Sequence, residues 1–295
     1  MNIPIKLLLI LILSLSLHAK YEFETKFGFL SEGTILSSFK DARVALKVWF
    51  EDTANKHNAK STVEFYDTSE SLYTELKNRE LDMVVVDLPF FIKNKKDILK
   101  TSNNFWSLST VDDKYTQYYL IAKKSIGAKS FKDIKGKVLS LEKGTLGAYV
   151  WGDKNSYLSN KASINKSTKQ IQEKKKESFA ILSVFFNKSD FAIIRKKTWD
   201  ILTELNPSIK KKIEIIKKSE RNLIPFIGVF HKDTDKKATD LFFKLSKKLK
   251  NVEGIEKMVE LLKLNSIFKI EDEYLEVIDK YYSEYFILKK KYKWV

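Results

Sequence analysis

Apolar positions in the first third of the chain alternate between a strand-like and a helix-like period. Helical spacing of Phe39, Ala42, Leu46 and Trp49 predicts a helix over residues 38–56, and a second helix is predicted over 69–79, with Thr68 or Ser69 as its cap. Strands are predicted at 21–30, 62–66 and 82–88. The unbroken apolar run at 83–86 is typical of a strand buried on both faces of a parallel sheet.

The rest of the chain repeats this alternation. Further strands or extended segments are predicted at 106–110, 115–123, 137–141, 190–195, 213–217 and 226–231. Helices are predicted at 131–136, 149–158, 178–187, 199–205 and 235–250, with a lysine-rich linker before residue 178. From residue 253 onward the pattern predicts mostly helix, with the aromatic and basic segment 281–295 packed on the body or, alternatively, binding a membrane surface or a partner. The order predicts an α/β protein.

The first 19 residues have the pattern of a secretory signal peptide. Lys6 precedes an apolar run from 7 to 17, and small Ala19 is followed by charged Lys20. The run is too short to span a bilayer, although a retained N-terminal anchor is the alternative. The chain contains no cysteine, which excludes disulfides, thiolate metal sites and a lipid-modified cysteine. We therefore expect an exported, unlipidated protein of a bacterial periplasm.

Composition adds size and charge to this picture. The expected mature chain, from residue 20 to residue 295, is long enough for two lobes of ordinary domain size. The formal net charge is +16 at pH 7, and 43% of the residues are hydrophobic. In an exported protein this charge indicates a solvated lysine-rich surface, or attraction to anionic solutes or membranes, and we expect no nucleic-acid partner.

Catalytic motifs are scarce. The three histidines are His18, His57 and His231, which are too few and too scattered for a histidine metal site. The sequence has no Gly-x-Ser-x-Gly turn, no phosphate-binding loop of the Gly-x-x-x-x-Gly-Lys type and no Gly-x-Gly-x-x-Gly turn. We therefore expect neither an enzyme nor a cofactor.

Several motifs together carry a resemblance to a known family. They are Phe27-Gly28-Phe29-Leu30, the segment 76–84 (LKNRELDMV), Asp87-Leu88-Pro89, and the segments 121–127 (IAKKSIG) and 130–137 (SFKDIKGK). In this order they resemble the periplasmic solute-binding proteins of the phosphate, phosphite and phosphonate uptake type. The resemblance covers roughly residues 24 to 250.

The resemblance implies the two-lobed class II periplasmic-binding-protein fold, in which each lobe is a mixed, mostly parallel sheet flanked by helices. The first lobe would combine residues 20–119 with 225–295, and the second would be 120–224. Crossover strands near 119–122 and 223–227 would form the hinge, with the ligand in the cleft between the lobes. We expect a monomer.

The resemblance also implies an anion-binding turn. The family's turn has the form Gly-Ser-Thr-Ser-Gly-Tyr, and residues 144–149 (GTLGAY) match it at Gly144, Thr145 and Tyr149. Thr145 keeps a hydroxyl, whereas Leu146 and Gly147 stand where the family has further hydroxyls. Backbone N–H groups at the start of the following helix remain available for an anion. The candidate contacts in the turn are Thr145, Leu146, Gly147 and Tyr149.

Other candidate ligand contacts lie at the ends of predicted strands and helices. Asp87 either faces the ligand, where it would repel a phosphate and favour an amine, or caps the helix that follows it. Tyr118 is either a ligand contact or part of the core, and Ser178 is either a helix cap or an anion contact beside Lys176. The full set outside the turn is Ser31, Asp87, Tyr115, Gln117, Tyr118, Lys176 and Ser178.

These expectations lead to one function and its alternatives. The protein would capture a small anionic or zwitterionic solute, phosphonate-like or phosphate-like, and deliver it to an inner-membrane ABC permease. The alternative is a sensory protein that presents its closed form to a membrane receptor, a kinase or cyclase. A cleft enzyme or a basic surface-binding protein is the third possibility. Because the turn has lost hydroxyls, ligand binding itself could also be lost.

Overall fold

The computed structural model describes residues 21–31, 40–110, 115–220, 223–224, 226–247, 249, 253–254, 256, 259 and 264–292. The predicted signal peptide and Pro225 lie outside the described residues. Strands β1–β11 are Glu24–Leu30, Lys60–Tyr66, Met83–Val86, Ser102–Thr110, Tyr118–Lys123, Val138–Glu142, Gln170–Lys174, Phe191–Arg195, Ile213–Lys218, Ile227–His231 and Leu264–Lys269. Helices α1–α10 are Lys40–Lys56, Ser69–Lys77, Leu88–Thr101, Leu146–Asn160, Ile164–Ser167, Glu177–Phe185, Lys196–Leu205, Ser208–Lys212, Lys236–Ser246 and Asp272–Lys291.

Six strands form the first sheet in the order β11-β4-β10-β3-β1-β2. Strands β2, β1 and β3 run parallel, with Phe27 opposite Val63 on one side and Met83 on the other. Strand β10 runs antiparallel between β3 and β4, and β11 runs antiparallel to β4 at the edge. All four residues of β3 are buried, as their unbroken apolar run predicts. We call this sheet and its helices the first lobe.

Five strands form the second sheet in the order β7-β6-β8-β5-β9. Strands β7, β6 and β8 are parallel, and β5 runs antiparallel between β8 and β9. Every residue of β5 from Tyr118 to Ala122 is buried. We call this sheet and its helices the second lobe.

Two chain segments connect the lobes and touch each other. The backbone N–H of Thr116 donates to the carbonyl of Leu223 over 2.8 Å, which forms an isolated antiparallel bridge. A second hydrogen bond joins the same two segments: the side-chain amide of Gln117 donates to the carbonyl of Ser219 over 2.7 Å. The first sheet thus takes its strands from residues 24–110 and 227–269, and the second from 118–218.

Helix α3 begins directly after Asp87, as the interpretation of Asp87 as a helix cap predicted. The structure differs from the sequence-based prediction at three other elements. The supposed lysine-rich linker contains the short helix α5 and strand β7, and the region after residue 253 contains strand β11 rather than helix alone. Both β7 and β11 are edge strands, half-exposed along much of their length, so their polar composition hides the strand period.

Candidate functional site

A cavity of about 570 Å³ lies between the two lobes. The first lobe lines it with residues that follow β1, β2 and β3, and the second with residues around the ends of β6 and β7. Ligands of open α/β sheets bind outside the carboxyl ends of the strands, which is where this cavity lies. Its lining residues are Leu30, Asp67, Thr68, Ser69, Glu70, Asp87, Pro89, Leu141, Gly144, Thr145, Leu146, Tyr149 and Glu173.

The wall from the first lobe consists of two coupled helix starts. Thr68 caps α2 by accepting a hydrogen bond from the N–H of Ser71 over 3.1 Å. Ser69 donates its hydroxyl to Asp87 Oδ2 over 2.8 Å, and Asp87 Oδ1 accepts from the N–H of Phe90 over 2.8 Å. Asp87 therefore caps α3, as the alternative interpretation predicted, and its carboxyl also lines the cavity.

The wall from the second lobe is the Gly-Thr turn before α4. Gly144 has φ +78°, a left-handed conformation that suits glycine. The Thr145 hydroxyl donates to Glu142 Oε2 over 3.0 Å, and the guanidinium of Arg195 pairs with the same carboxylate. Helix α4 begins at Leu146, which is 42% exposed. Thr145 and Arg195, a hydroxyl and a cationic donor at this wall, are thus already paired with a carboxylate of the chain.

An ion pair between buried Glu177 and half-exposed Arg195 supports this wall from behind. Glu177 is 5% exposed, and its Oε1 accepts from the N–H of Arg195 over 2.8 Å and lies 3.2 Å from Arg195 Nε. The hydroxyl of Thr198 also donates to Glu177. Burial raises the pKa of the Glu177 carboxyl, and the charge of Arg195 acts against that rise. Arg195 thereby holds together two carboxylates that come from different elements, Glu142 at the end of β6 and Glu177 at the start of α6.

Four of the candidate residues predicted from the sequence line the cavity: Asp87, Thr145, Leu146 and Tyr149. Burial raises the pKa of the Tyr149 hydroxyl to about 12, so this phenol stays neutral at pH 7. Gly147 lies in the first turn of α4 against Tyr118. A Cβ atom at Gly147 would come closer than 3.0 Å to the Tyr118 hydroxyl, so only glycine allows this approach.

The other candidates lie outside the cavity lining. Tyr118 is a buried core residue whose ring lies nearly parallel to that of Trp151, and Tyr115 packs on Tyr274 with ring centroids 4.9 Å apart. Lys176 is exposed and occupies the cap position of α6 without a side-chain cap, and Ser178 is half-buried inside that helix. Ser31 is buried beside Tyr66, and Gln117 belongs to the lobe connection.

The sequence analysis missed five lining residues that carry polar side chains: Asp67, Thr68, Ser69, Glu70 and Glu173. A local signal existed for the first four, because Thr68 and Ser69 stand at a strand-to-helix turn like that of Thr145. Glu173 had no such signal, since it lies on β7, in the segment interpreted as a linker.

The electrostatic character of the cavity follows from this inventory. The charged residues among its described lining are Asp67, Glu70, Asp87 and Glu173, and no lysine, arginine or histidine accompanies them. The chain as a whole carries +16, so the positive charge lies elsewhere. The described lining residues therefore favour a cationic group over a small anion.

Within the part of the chain that the structure describes, no cluster of three or more histidine, aspartate or glutamate side chains has a geometry that would hold a metal ion. Among the same residues, no helix is both long and apolar enough to cross a membrane.

Comparison with known proteins places the fold. No family model and no curated protein matches the chain at the level of sequence. Among solved structures, XAC2383 from Xanthomonas citri, bound to ATP, superposes with a TM-score of 0.62 at 8% identity, over 91% of this chain and 98% of that one. The binding-protein component of an ABC phosphonate transporter from Pseudomonas aeruginosa gives 0.58 at 14% identity, over 91% and 88%. PhnD1 from Prochlorococcus marinus, in complex with methylphosphonate, gives 0.56 at 12% identity, over 88% and 98%.

The chain has the two-lobed α/β fold of the class II periplasmic binding proteins. The fold class predicted from the sequence motifs is confirmed, and so is the resemblance to phosphonate-type binding proteins at the level of the fold. At these identities the likeness establishes architecture, and the ligand must be argued from the cavity.

Proposed function

We propose that the protein is a periplasmic solute-binding protein that holds a small, amine-bearing zwitterion between its lobes and delivers it to an inner-membrane ABC permease. The observation that carries this proposal is the interlobe cavity, in which the charged lining residues that the structure describes are carboxylates. The division into lobes at residues 20–119 with 225–295 and 120–224, the removal of residues 1–19 and a monomeric state belong to the same proposal.

The charge of the cavity favours an ammonium group over a phosphate dianion. Coulomb repulsion between a dianion and the carboxylates of Asp67, Glu70 and Asp87 is strong at the short distances inside a cavity of this size. Two of the lining hydroxyls, those of Ser69 and Thr145, already donate to Asp87 and Glu142. An ammonium group brings three donors to these acceptors.

The start of α4 provides a place for the anionic end of such a solute. Helix N-termini carry partial positive charge and free N–H groups, and α4 begins on the cavity wall. The N–H of Leu146 donates to the carbonyl of Gly144 over 2.9 Å, so a zwitterion would place its anionic end at the N–H groups of Gly147 and Ala148 and its ammonium towards the carboxylates of the first lobe. Bridging both walls in this way would favour lobe closure.

A paired ligand panel tests the proposal. Thermal unfolding of residues 20–295 is measured with aminoalkylphosphonates and amino acids, each beside the analogue that lacks the amine, and with phosphate. A ligand at 100 times its Kd adds about 2.7 kcal/mol, which raises the Tm by several degrees in a protein of this size. We expect shifts only with amine-bearing members. Equal shifts with phosphate or methylphosphonate would overturn the choice of ligand class, and no shift at all would favour the receptor-partner alternative.

Charge-neutralising variants then locate the site. Glu70→Gln and Glu173→Gln each remove one negative charge from an exposed lining side chain, so they should leave folding intact and weaken the amine-bearing ligand roughly tenfold. Glu204→Gln is the matched control, because Glu204 is an exposed carboxylate on α7 outside the cavity lining. Titration calorimetry that shows the same affinity for all three variants would place the ligand elsewhere.

A further inference from the structure

The C-terminal helix α10 lies against both lobes. It packs on α3 of the first lobe and on α4 of the second. These two helices begin on opposite walls of the cavity, α3 at its cap Asp87 and α4 at Thr145. Any separation of the walls therefore changes the position of α10 relative to at least one of them.

The contact of α10 with the first lobe is mainly apolar. Leu275, Ile278, Tyr282 and Tyr285 are buried in one cluster with side chains of β3, α3 and β10. Among the members of this cluster, α4 contributes Val150 and Tyr157. One ion pair, Lys95 Nζ to Asp279 Oδ2 at 3.1 Å, is added at the surface between α3 and α10.

The contact of α10 with the second lobe combines aromatic packing with directional polar bonds. The Tyr157 ring of α4 lies 6.5 Å from that of Tyr285 and 6.1 Å from that of Tyr292. Lys154 Nζ donates to the carbonyl of Tyr281 over 3.0 Å and to Glu284 Oε2 over 2.9 Å, and it lies 3.9 Å from the centroid of the Tyr281 ring. The hydroxyl of Tyr285 donates to Asp153 Oδ2 over 2.9 Å. These hydrogen bonds require donor–acceptor distances of about 3 Å, so a relative movement of the lobes by a few ångströms breaks them.

Helix α4 contains buried polar residues that have hydrogen-bond partners on α10. Its residues 153–156 (DKNS) are all polar and all buried, which is unusual for a helix. On the inner side, Ser156 donates to Ser167 and Asp153 Oδ1 accepts from the N–H of Ile164. On the outer side, Asp153 and Lys154 find their remaining partners on α10. Without α10, the carboxylate of Asp153 and the ammonium of Lys154 would each lose a partner.

We propose that α10 is a strap that stays with the first lobe and must release its polar contacts to α4 before the two lobes can move apart. Most of the apolar cluster around α10 belongs to the first lobe, with only Val150 and Tyr157 from α4, so the helix stays with the first lobe, and the bonds of Lys154 and Tyr285 act as the latch. Solute entry and release then depend on the latch as well as on the hinge. The strap adds a conformational step to the proposed function, but its physical basis requires no solute.

Distance measurements on the protein without solute test the strap. The chain has no cysteine, so spin labels can be placed at Asp240→Cys on α9 and Lys210→Cys on α8, which are exposed positions in the first and second lobes. We expect one narrow interlobe distance for the otherwise unchanged chain. Tyr285→Phe removes the bond to Asp153 and should raise the population at a second, open distance about tenfold.

Two further variants complete the design. Glu284→Gln weakens the latch at a half-exposed side chain that is not needed for folding, and it should shift the same population in the same direction. Asp279→Asn breaks the ion pair of α10 with the first lobe and should leave the distances unchanged. A broad distribution in the unaltered chain, or latch variants with the unaltered distribution, would overturn the strap. Circular dichroism verifies that each variant is folded, and solute binding is measured separately.

Discussion

Replacing Gly228 by alanine should destabilise the protein by at least about 3 kcal/mol, at the upper end of overpacking costs. Gly228 lies in β10, at the centre of the first sheet, and a Cβ atom there would come closer than 3.0 Å to three atoms of the Trp106 indole. Trp106 is 2% exposed and packs against Phe226 and Phe242, with ring centroids 5.7 and 5.1 Å away. The indole therefore has no free space into which it can move.

Thermal and urea unfolding measure the effect, and we expect a fall in Tm of roughly 5–10 °C. A glycine at negative φ in a strand usually gains stability on replacement by alanine, so a loss at Gly228 reports packing rather than backbone freedom. A double-mutant cycle with Trp106→Leu provides the control. The smaller side chain makes room for the methyl group, so the double variant should lose less than the sum of the single losses. Strict additivity would contradict the proposed clash.

Replacing Arg195 by methionine should cost about 3–5 kcal/mol at neutral pH, because Glu177 stays buried without its cation. Glu177 has few other ways to satisfy its charge: the N–H of Arg195 and the hydroxyl of Thr198 are its hydrogen-bond donors in the described structure. The same replacement also removes the partner of Glu142 at the cavity wall.

The loss should grow with pH. Burial already raises the pKa of Glu177 above its unfolded value, so its contribution to folding is most favourable below the unfolded pKa and decreases as pH rises through the folded pKa. Removing Arg195 raises the folded pKa further and widens that range. Urea unfolding at pH 5 and pH 8 should therefore show a smaller loss at pH 5.

Two variants control for this effect. Lys196→Met removes a neighbouring cation whose ion pair with Asp200 is largely exposed, and it should change stability by less than about 1 kcal/mol. Combining Arg195→Met with Glu177→Gln removes the uncompensated charge and should recover part of the loss and most of the pH dependence. Equal losses at both pH values for Arg195→Met would show that packing, rather than the buried charge, dominates at this position.

Edge strands explain why the predicted elements were incomplete. Strand β3 could be predicted from its composition, because both of its faces are buried and all four of its residues are apolar. Strand β7 (QIQEK) lies at the edge of its sheet and both of its faces are half-exposed, so it can consist mostly of polar and charged residues. Without an apolar alternation its sequence resembles that of a linker. Helix α3 was predicted only through the interpretation of Asp87 as a cap, and Asp87 with Pro89 in the first turn is its start signal in the sequence.

The candidate site divides in a similar way. Thr145 and Asp87 could be found from the sequence, because a turn between a strand and a helix is a local pattern. The partners of these residues are only partly local. Thr145 donates to Glu142 within the turn, which the sequence could suggest. The ion pair of Glu142 with Arg195 spans 53 residues and the hydrogen bond of Ser69 to Asp87 spans 18, and no local pattern predicts them.

The sequence by itself determined the α/β alternation, the two-lobed class of fold and one wall of the cavity, since hydrophobic period, turn residues and family motifs are properties of neighbouring positions. Only the tertiary structure decided the acidic character of the cavity and the role of α10. Both depend on side chains that meet through space: carboxylates that follow β2 and β3 on one wall and a carboxylate of β7 on the other, and a helix that contacts α3 and α4 together. Packing decides which charged side chains of distant segments come close together and which helices touch, so local sequence patterns do not predict either.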